Sequence, residues 1–216
     1  MIKLMKYGEV PNTEIFARMQ PKMNVEQIVA DIIENVKQNG DKAVKEYCLK
    51  FDKAQLDSLL VSPEEMAEAK ALVEPEFFDI LEKAAENIRV FHEKQKRNSF
   101  IINDRPGIVM GQKVIPMDKA GLYVPGGTAA YPSTVLMDAI PAKIAGVKEV
   151  VIVTPPNAEG KVNPYILAAA QVAGVDKIFK TGGAQAIAAL AFGTESIPKV
   201  DKIVGPGNAF VAEAKK

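Results

Sequence analysis

At 216 residues the chain has room for one large domain or two small ones, and with 48% hydrophobic and 25% charged residues it has an ordinary globular balance. Its 27 Lys+Arg offset 27 Asp+Glu, which argues against nucleic acid or an anionic membrane surface as the main partner. Apolar stretches such as Glu149–Pro156 and Ala184–Gly193 fall well short of the roughly 20 residues that span a bilayer.

In chain order, the first half reads as helices. Asn24 followed by Gln27 is a capping-box pattern that predicts a helix over Val25–Gln38. Asn39-Gly40 ends it, and Asp41 is placed to cap a second helix running to about Phe51. Ser62-Pro63-Glu64-Glu65 combines a cap, a proline at the first helical position and a glutamate that reaches back to the cap. After Pro75 a longer helix carries Phe77, Leu81, Ala84, Ile88 and Phe91 as one apolar stripe. The sole histidine, His92, has no ligand partner at metal-binding spacing and reads as structural. The sole cysteine, Cys48, excludes an internal disulfide and reads as a packing residue. With no apolar leader at the N-terminus, it points to a reducing compartment, the cytoplasm. Phe100–Asn103 and Ile108–Val114 read as short strands about an Arg105-Pro106-Gly107 turn, with Gly111-Gln112 as a second turn.

From about Lys119 the composition changes. Strands are predicted at Ala120–Val124, Glu149–Thr154, Lys177–Lys180 and Asp201–Val204, and helices at Ser133–Ala145, Pro164–Ala173 and Ala184–Phe192, with a last helix opening at Asn208. Continuous apolar strands alternating with helices indicate a parallel sheet covered on both faces. The boundary this suggests divides the chain into a helical part, 1–118, and a parallel α/β part, 119–216.

Helical crossovers bring the C-terminal ends of parallel strands to one edge, where open α/β sheets bind ligands. Three loops at that edge are glycine-rich: Val124-Pro125-Gly126-Gly127, Thr181-Gly182-Gly183-Ala184-Gln185 and Gly205-Pro206-Gly207-Asn208. Each leads into a helix N-terminus that favours an anion such as pyrophosphate, with glycine permitting close approach to the backbone. Tyr123, Gln185 and Asn208 add a ring and two amides. Any one loop alone reads better as a common turn, and Asn208 as a helix cap. Convergence of all three is what favours a site. The Gly-x-Gly-x-x-Gly fingerprint is missing, and Thr154-Pro155 stand where an acidic residue would end the second strand. On these grounds the ligand is a phosphate-bearing metabolite or nucleotide.

The segments Ala120–Gly127, Pro132–Met137, Gly182–Glu195 and Val200–Asn208 are similar, in order and spacing, to histidinol dehydrogenase. The likeness extends to Asn39-Gly40-Asp41, Lys50-Phe51-Asp52 and Phe91-His92. The resemblance implies an enzyme that oxidises L-histidinol through L-histidinaldehyde to L-histidine with NAD⁺, holds its substrate on zinc and works as a homodimer. Tyr123, Gln185 and Asn208 match the positions that contact NAD in that family. The implied fold is a Rossmann-like, aldehyde-dehydrogenase-like parallel sheet preceded by the helical part of a second, incomplete α/β domain. The family enzyme is about twice this length, with zinc ligands and a Glu-His acid–base pair in the half that would follow Lys216. No catalytic or metal residue is therefore assigned here, and 1–216 alone is expected to be inactive. Two alternatives are a short nucleotide-binding chain without catalysis and a subunit completed by a separate chain.

Overall fold

The structure, a computed structural model, describes residues 4–15, 25–126 and 130–216. The Asn24 cap and Gly127 lie outside the described residues. After a single helical turn, α1 (Asn12–Ile15), the chain forms α2 (Glu26–Tyr47), in which Gly40 leaves the helical region at φ 51, ψ −133. That break stands where Asn39-Gly40 predicts a helix end. The carboxylate of Asp41, expected to cap the next helix, instead accepts from Thr194 Oγ1 at 2.5 Å, Ser196 N at 3.3 Å and Ser196 Oγ. The reason is proximity: Glu195 accepts the Asp41 N–H at 2.7 Å and holds the 194–196 loop against the kink.

Beyond Tyr47 the helix widens into a π turn, Cys48–Asp52, closed by Lys53 in the left-handed region (φ 61). Helix α3 (Pro63–Leu72) has its full capping box: Ser62 Oγ accepts from Glu65 N at 3.2 Å, and Glu65 accepts from Ser62 N at 2.8 Å. In α4 (Pro75–Glu93) the predicted stripe is buried only in part. Of the stripe, Leu81 is enclosed and Phe77, Ala84 and Ile88 are half-buried, whereas Phe91 is 63% exposed because the final turns extend past the core. Strands β1 (Phe100–Arg105) and β2 (Ile108–Gln112) form an antiparallel hairpin about Pro106-Gly107, with every residue exposed. Gly111, expected in a turn, lies within β2 opposite Ile101, where a Cβ would come within 2.6 Å of the Phe100 carbonyl.

The second half follows the predicted alternation: β3 (Lys119–Tyr123), α5 (Pro132–Ile144), β4 (Glu149–Thr154), α6 (Pro164–Ala173), β5 (Lys177–Lys180), α7 (Gly183–Phe192), β6 (Lys202–Val204) and α8 (Ala209–Ala214). The four strands pair in parallel in the order β5-β4-β3-β6. Alternate residues face opposite sides. Tyr123, Val151, Val153 and Phe179 join one core with α2, α7 and α8. Leu122, Val150, Ile152 and Ile178 join the other with α3, α4, α5 and α6. Burial on both faces is why these strands are apolar without alternation. The outer edge of β5 is covered by residues 59–61, through Lys180 N to Leu59 O at 2.7 Å and Val61 N to Ile178 O at 2.9 Å.

The connections run outward from β3 through β4 to β5, and the next strand, β6, returns to the far side of β3. The loops after β3 and β6 therefore diverge, one toward α5 and the other toward α8 on the opposite face. Such a reversal opens a crevice at the carboxyl ends of the strands.

Candidate functional site

That crevice is a cleft of about 960 Å³, lined by Tyr123, Gln185 and Asn208, which come from three separate strand-to-helix connections. Tyr123 ends β3 and is only 5% exposed. Its phenolic oxygen accepts the Gly183 N–H at 3.1 Å, which ties β3 to the first turn of α7. Burial raises the phenol's pKa above its ordinary value; the Gly183 hydrogen bond opposes the shift, and the negative charge of Asp52 adds to it. Gln185, the third residue of α7, is 1% exposed, and its Oε1 has no hydrogen-bond partner. Asn208 is both things the sequence allowed. Its Oδ1 caps α8 by accepting from Val211 N at 3.1 Å, while the side chain stays exposed in the cleft with its amide N–H groups uncommitted.

The loop glycines serve a different need from the one expected. A Cβ on Gly205 (φ +115) would fall 2.1 Å from the Tyr123 carbonyl, and one on Gly182 would fall 2.8 Å from Pro155 Cβ. Those positions are filled by protein, so glycine there lets neighbouring loops pack on one another. Close approach of a ligand is not what demands it.

The opposite wall comes from the helical half. Ile28 and Ile32 of α2 and Phe51 and Asp52 of the π turn complete the cleft, with Tyr131, Phe210 and four prolines adding apolar surface. Asp52 is the only formally charged residue among the described lining; no Lys, Arg or His joins it. Its Oδ2 is buried without a partner, and burial pushes the carboxyl up to about 6. Sequence reading did not assign these wall residues. The i, i+4 spacing of Ile28 and Ile32 marks a helix face, and Lys50-Phe51-Asp52 stood out only as a motif. A second hollow of about 380 Å³, between α3 and α6, adjoins the cleft and shares Pro125, Gly126, Pro155 and Pro156 with it.

Cys48 is fully buried behind the π turn, where its Sγ donates to the Lys180 carbonyl at 3.5 Å. Burial pushes its thiol up to about 11, the behaviour of a packing residue rather than a nucleophile. His92 meets Gln95 Oε1 at 2.7 Å and the edge of Phe91. Among the described residues no group of three or more His, Cys, Asp or Glu side chains could hold a metal ion, so they do not fit zinc. Nor is any helix among them long and apolar enough to cross a membrane.

Comparison with known proteins agrees with this architecture. The histidinol dehydrogenase family model matches residues 17–216. The chain is 56% identical over 221 residues to the histidinol dehydrogenase of Clostridium acetobutylicum, covering 100% of this chain and 51% of that protein. It is 49% identical over 214 residues to that of Methanosarcina barkeri, covering 99% and 49%. Among solved structures, the crystal structure of histidinol dehydrogenase from Elizabethkingia anophelis superimposes with a TM-score of 0.88 at 44% identity, covering 92% of this chain and 46% of that one. The chain spans about half the length of the curated relatives it matches. A parallel sheet with its cleft at the strand-order reversal, together with a family match over nearly all of its residues, means that this chain belongs to the histidinol dehydrogenase family.

Proposed function

We propose that this chain is the part of a histidinol dehydrogenase that holds NAD⁺, serving the oxidation of L-histidinol through L-histidinaldehyde to L-histidine in histidine biosynthesis. The observation that carries the reading is the convergence of Tyr123, Gln185 and Asn208 on one cleft from three separate strand-to-helix connections. Bound NAD⁺ supplies the acceptor for the hydride that leaves the substrate. The Asn208 amide donates to the cofactor, and the Gln185 amide, buried with an unpartnered oxygen, supplies a further polar contact. Tyr123 provides an aromatic surface whose orientation is fixed by Gly183. The first turn of α7 lies in the cleft, where the helix dipole favours the pyrophosphate. The adjoining hollow gives a dinucleotide room for its second half.

Dehydrogenation also needs a base for the alcohol proton and, in this family, a zinc ion that positions the substrate. We place both outside 1–216, in a cytoplasmic enzyme that acts as a homodimer. The chain alone then binds NAD⁺ without turnover. The test is calorimetric titration of the 216-residue chain with NAD⁺, alongside an assay for NADH formation from histidinol with added zinc. Binding without NADH production is expected. No binding, or turnover near that of a full-length homologue, overturns the reading.

A further inference from the structure

We propose that Asp52 determines which nucleotide this cleft accepts: its carboxylate takes hydrogen bonds from the hydroxyls of the adenosine ribose and repels a nucleotide that carries a phosphate there. The proposal rests on the cofactor reading above and names the residue that sets its specificity.

The case begins with the chain geometry that delivers Asp52. A regular α-helix would carry α2 onward, but the chain widens into the π turn Cys48–Asp52 and is closed by Lys53 at φ 61, a left-handed conformation that a side chain other than glycine rarely adopts. Isolated π turns and strained residues concentrate where a side chain must be aimed at a site. Here the residue delivered to the cleft wall is Asp52.

The chemistry of the carboxylate comes next. An ionised carboxylate only accepts hydrogen bonds. Asp52 Oδ2 accepts none from the protein, although it is buried, and the residue lies close enough to Tyr123 and Cys48 to raise the pKa of both. A buried acceptor with no partner is costly unless a ligand supplies donors. The hydroxyls of a ribose are O–H donors of the kind such a carboxylate accepts. The other polar side chains of the cleft, Gln185, Asn208, Tyr123 and Tyr131, can both donate and accept, so Asp52 alone is restricted to accepting.

Charge then decides between nucleotides. A phosphate on the ribose adds roughly −1.5 to −2 of charge. No Lys, Arg or His among the described residues lining the cleft receives it, and the one charged side chain there is Asp52 itself; the lysine of the adjoining hollow, Lys161, is already paired with Glu68 at 2.6 Å. Dinucleotide folds commonly place this carboxylate at the end of the second strand. In this chain Thr154-Pro155 occupy that place, and the acid arrives instead from the helical half.

Calorimetric titration of the 216-residue chain with NAD⁺ and NADP⁺, for wild type, Asp52→Asn and Asp52→Glu, tests the assignment. Wild type is expected to bind NAD⁺ about tenfold or more tighter than NADP⁺. Asp52→Asn should weaken NAD⁺ by about tenfold, the scale of a lost hydrogen bond to a charged group, while NADP⁺ is unchanged or tighter, so the preference collapses. Asp52→Glu keeps the charge and should still reject NADP⁺. Titrating wild type with NAD⁺ that lacks the adenosine 2′-hydroxyl needs no variant, and about a tenfold loss is expected there too. Equal losses for both nucleotides in Asp52→Asn, or full affinity for the deoxy compound, would overturn the role of Asp52 and leave the cofactor reading intact. Failure of wild type to bind NAD⁺ at all would overturn both.

Discussion

The phenolic oxygen of Tyr123 accepts the backbone N–H of Gly183 at 3.1 Å, joining residues 60 positions apart and fixing the angle at which α7 leaves the sheet. Tyr123→Phe removes that acceptor while preserving the ring. The expected result is a loss of about 1 kcal/mol in stability, from an amide left without its partner in a half-buried position. A urea melt measures it. An unchanged midpoint would mean that the bond contributes nothing.

The ion pair between Lys180 and Glu65, at 3.0 and 3.2 Å, links β5 to the first turn of α3, with the lysine side chain only 9% exposed. Glu65→Ala breaks the pair and the capping box together and strands a buried ammonium, at a cost of about 3–4 kcal/mol. Lys180→Met leaves Glu65, which is 25% exposed, able to rehydrate, and should cost about 1 kcal/mol or less. Chemical denaturation of the two variants should show this asymmetry. Equal losses would refute it.

Gly40, Asp41 and Glu195 form a clasp between the kink in α2 and the loop after α7. Gly40→Ala forces a side chain into φ 51, ψ −133 and drives its Cβ to within 2.3 Å of Glu195 Oε2, displacing the carboxylate that holds Asp41 N. A loss of about 1–3 kcal/mol is expected. Asp41→Ala removes the carboxylate bonded to Thr194 and Ser196, and Glu195→Ala removes the acceptor of the Asp41 N–H; both release the same loop from the same kink, so the double variant should lose less than the sum of the single ones. Strict additivity in a double-mutant cycle would argue against the clasp.

Asp52 makes stability fall as pH rises. Its folded pKa, about 6, exceeds the ordinary 3.8, so between those values the native state holds more protons than the unfolded chain. The stability gained by protonation is complete below the lower value and lost as pH climbs through the upper one. After discounting for solvent screening, the ionised group costs about 1–2 kcal/mol at neutral pH. Asp52→Asn should therefore melt higher than wild type at about pH 7.5 and match it near pH 4. A variant that binds nucleotide less well yet is more stable carries the signature of a functional carboxylate. Destabilisation at neutral pH would show that Asp52 is structural.

Strands β4 and β5 and helix α6 could be bounded from the sequence because apolar runs there are fenced by proline and glycine, and burial on both faces leaves no alternation to confuse the pattern. That Tyr123, Gln185 and Asn208 share one cleft was legible for a topological reason: parallel strands bring the segments that follow them to one edge. Asp52 was not. Nothing in the local spacing of Lys50-Phe51-Asp52 announces a π turn, and the wall it builds depends on how α2 lies over the sheet. Phe91 was misjudged because a helical stripe does not reveal where its packing partner ends. Gly111 was misjudged because a glycine that admits a neighbouring carbonyl looks, in sequence, like one that makes a turn.

Both apolar cores draw side chains from before and after the hairpin of β1 and β2, yet the hairpin places no side chain in either. Its covalent continuity serves as a tether. Cleavage at Pro106-Gly107 would separate two pieces that each lack part of both interiors, and their reassociation would be governed by concentration, the quantity a covalent link supplies. The molecule is in this sense already divided into complementary parts, joined by a ribbon that neither interior requires.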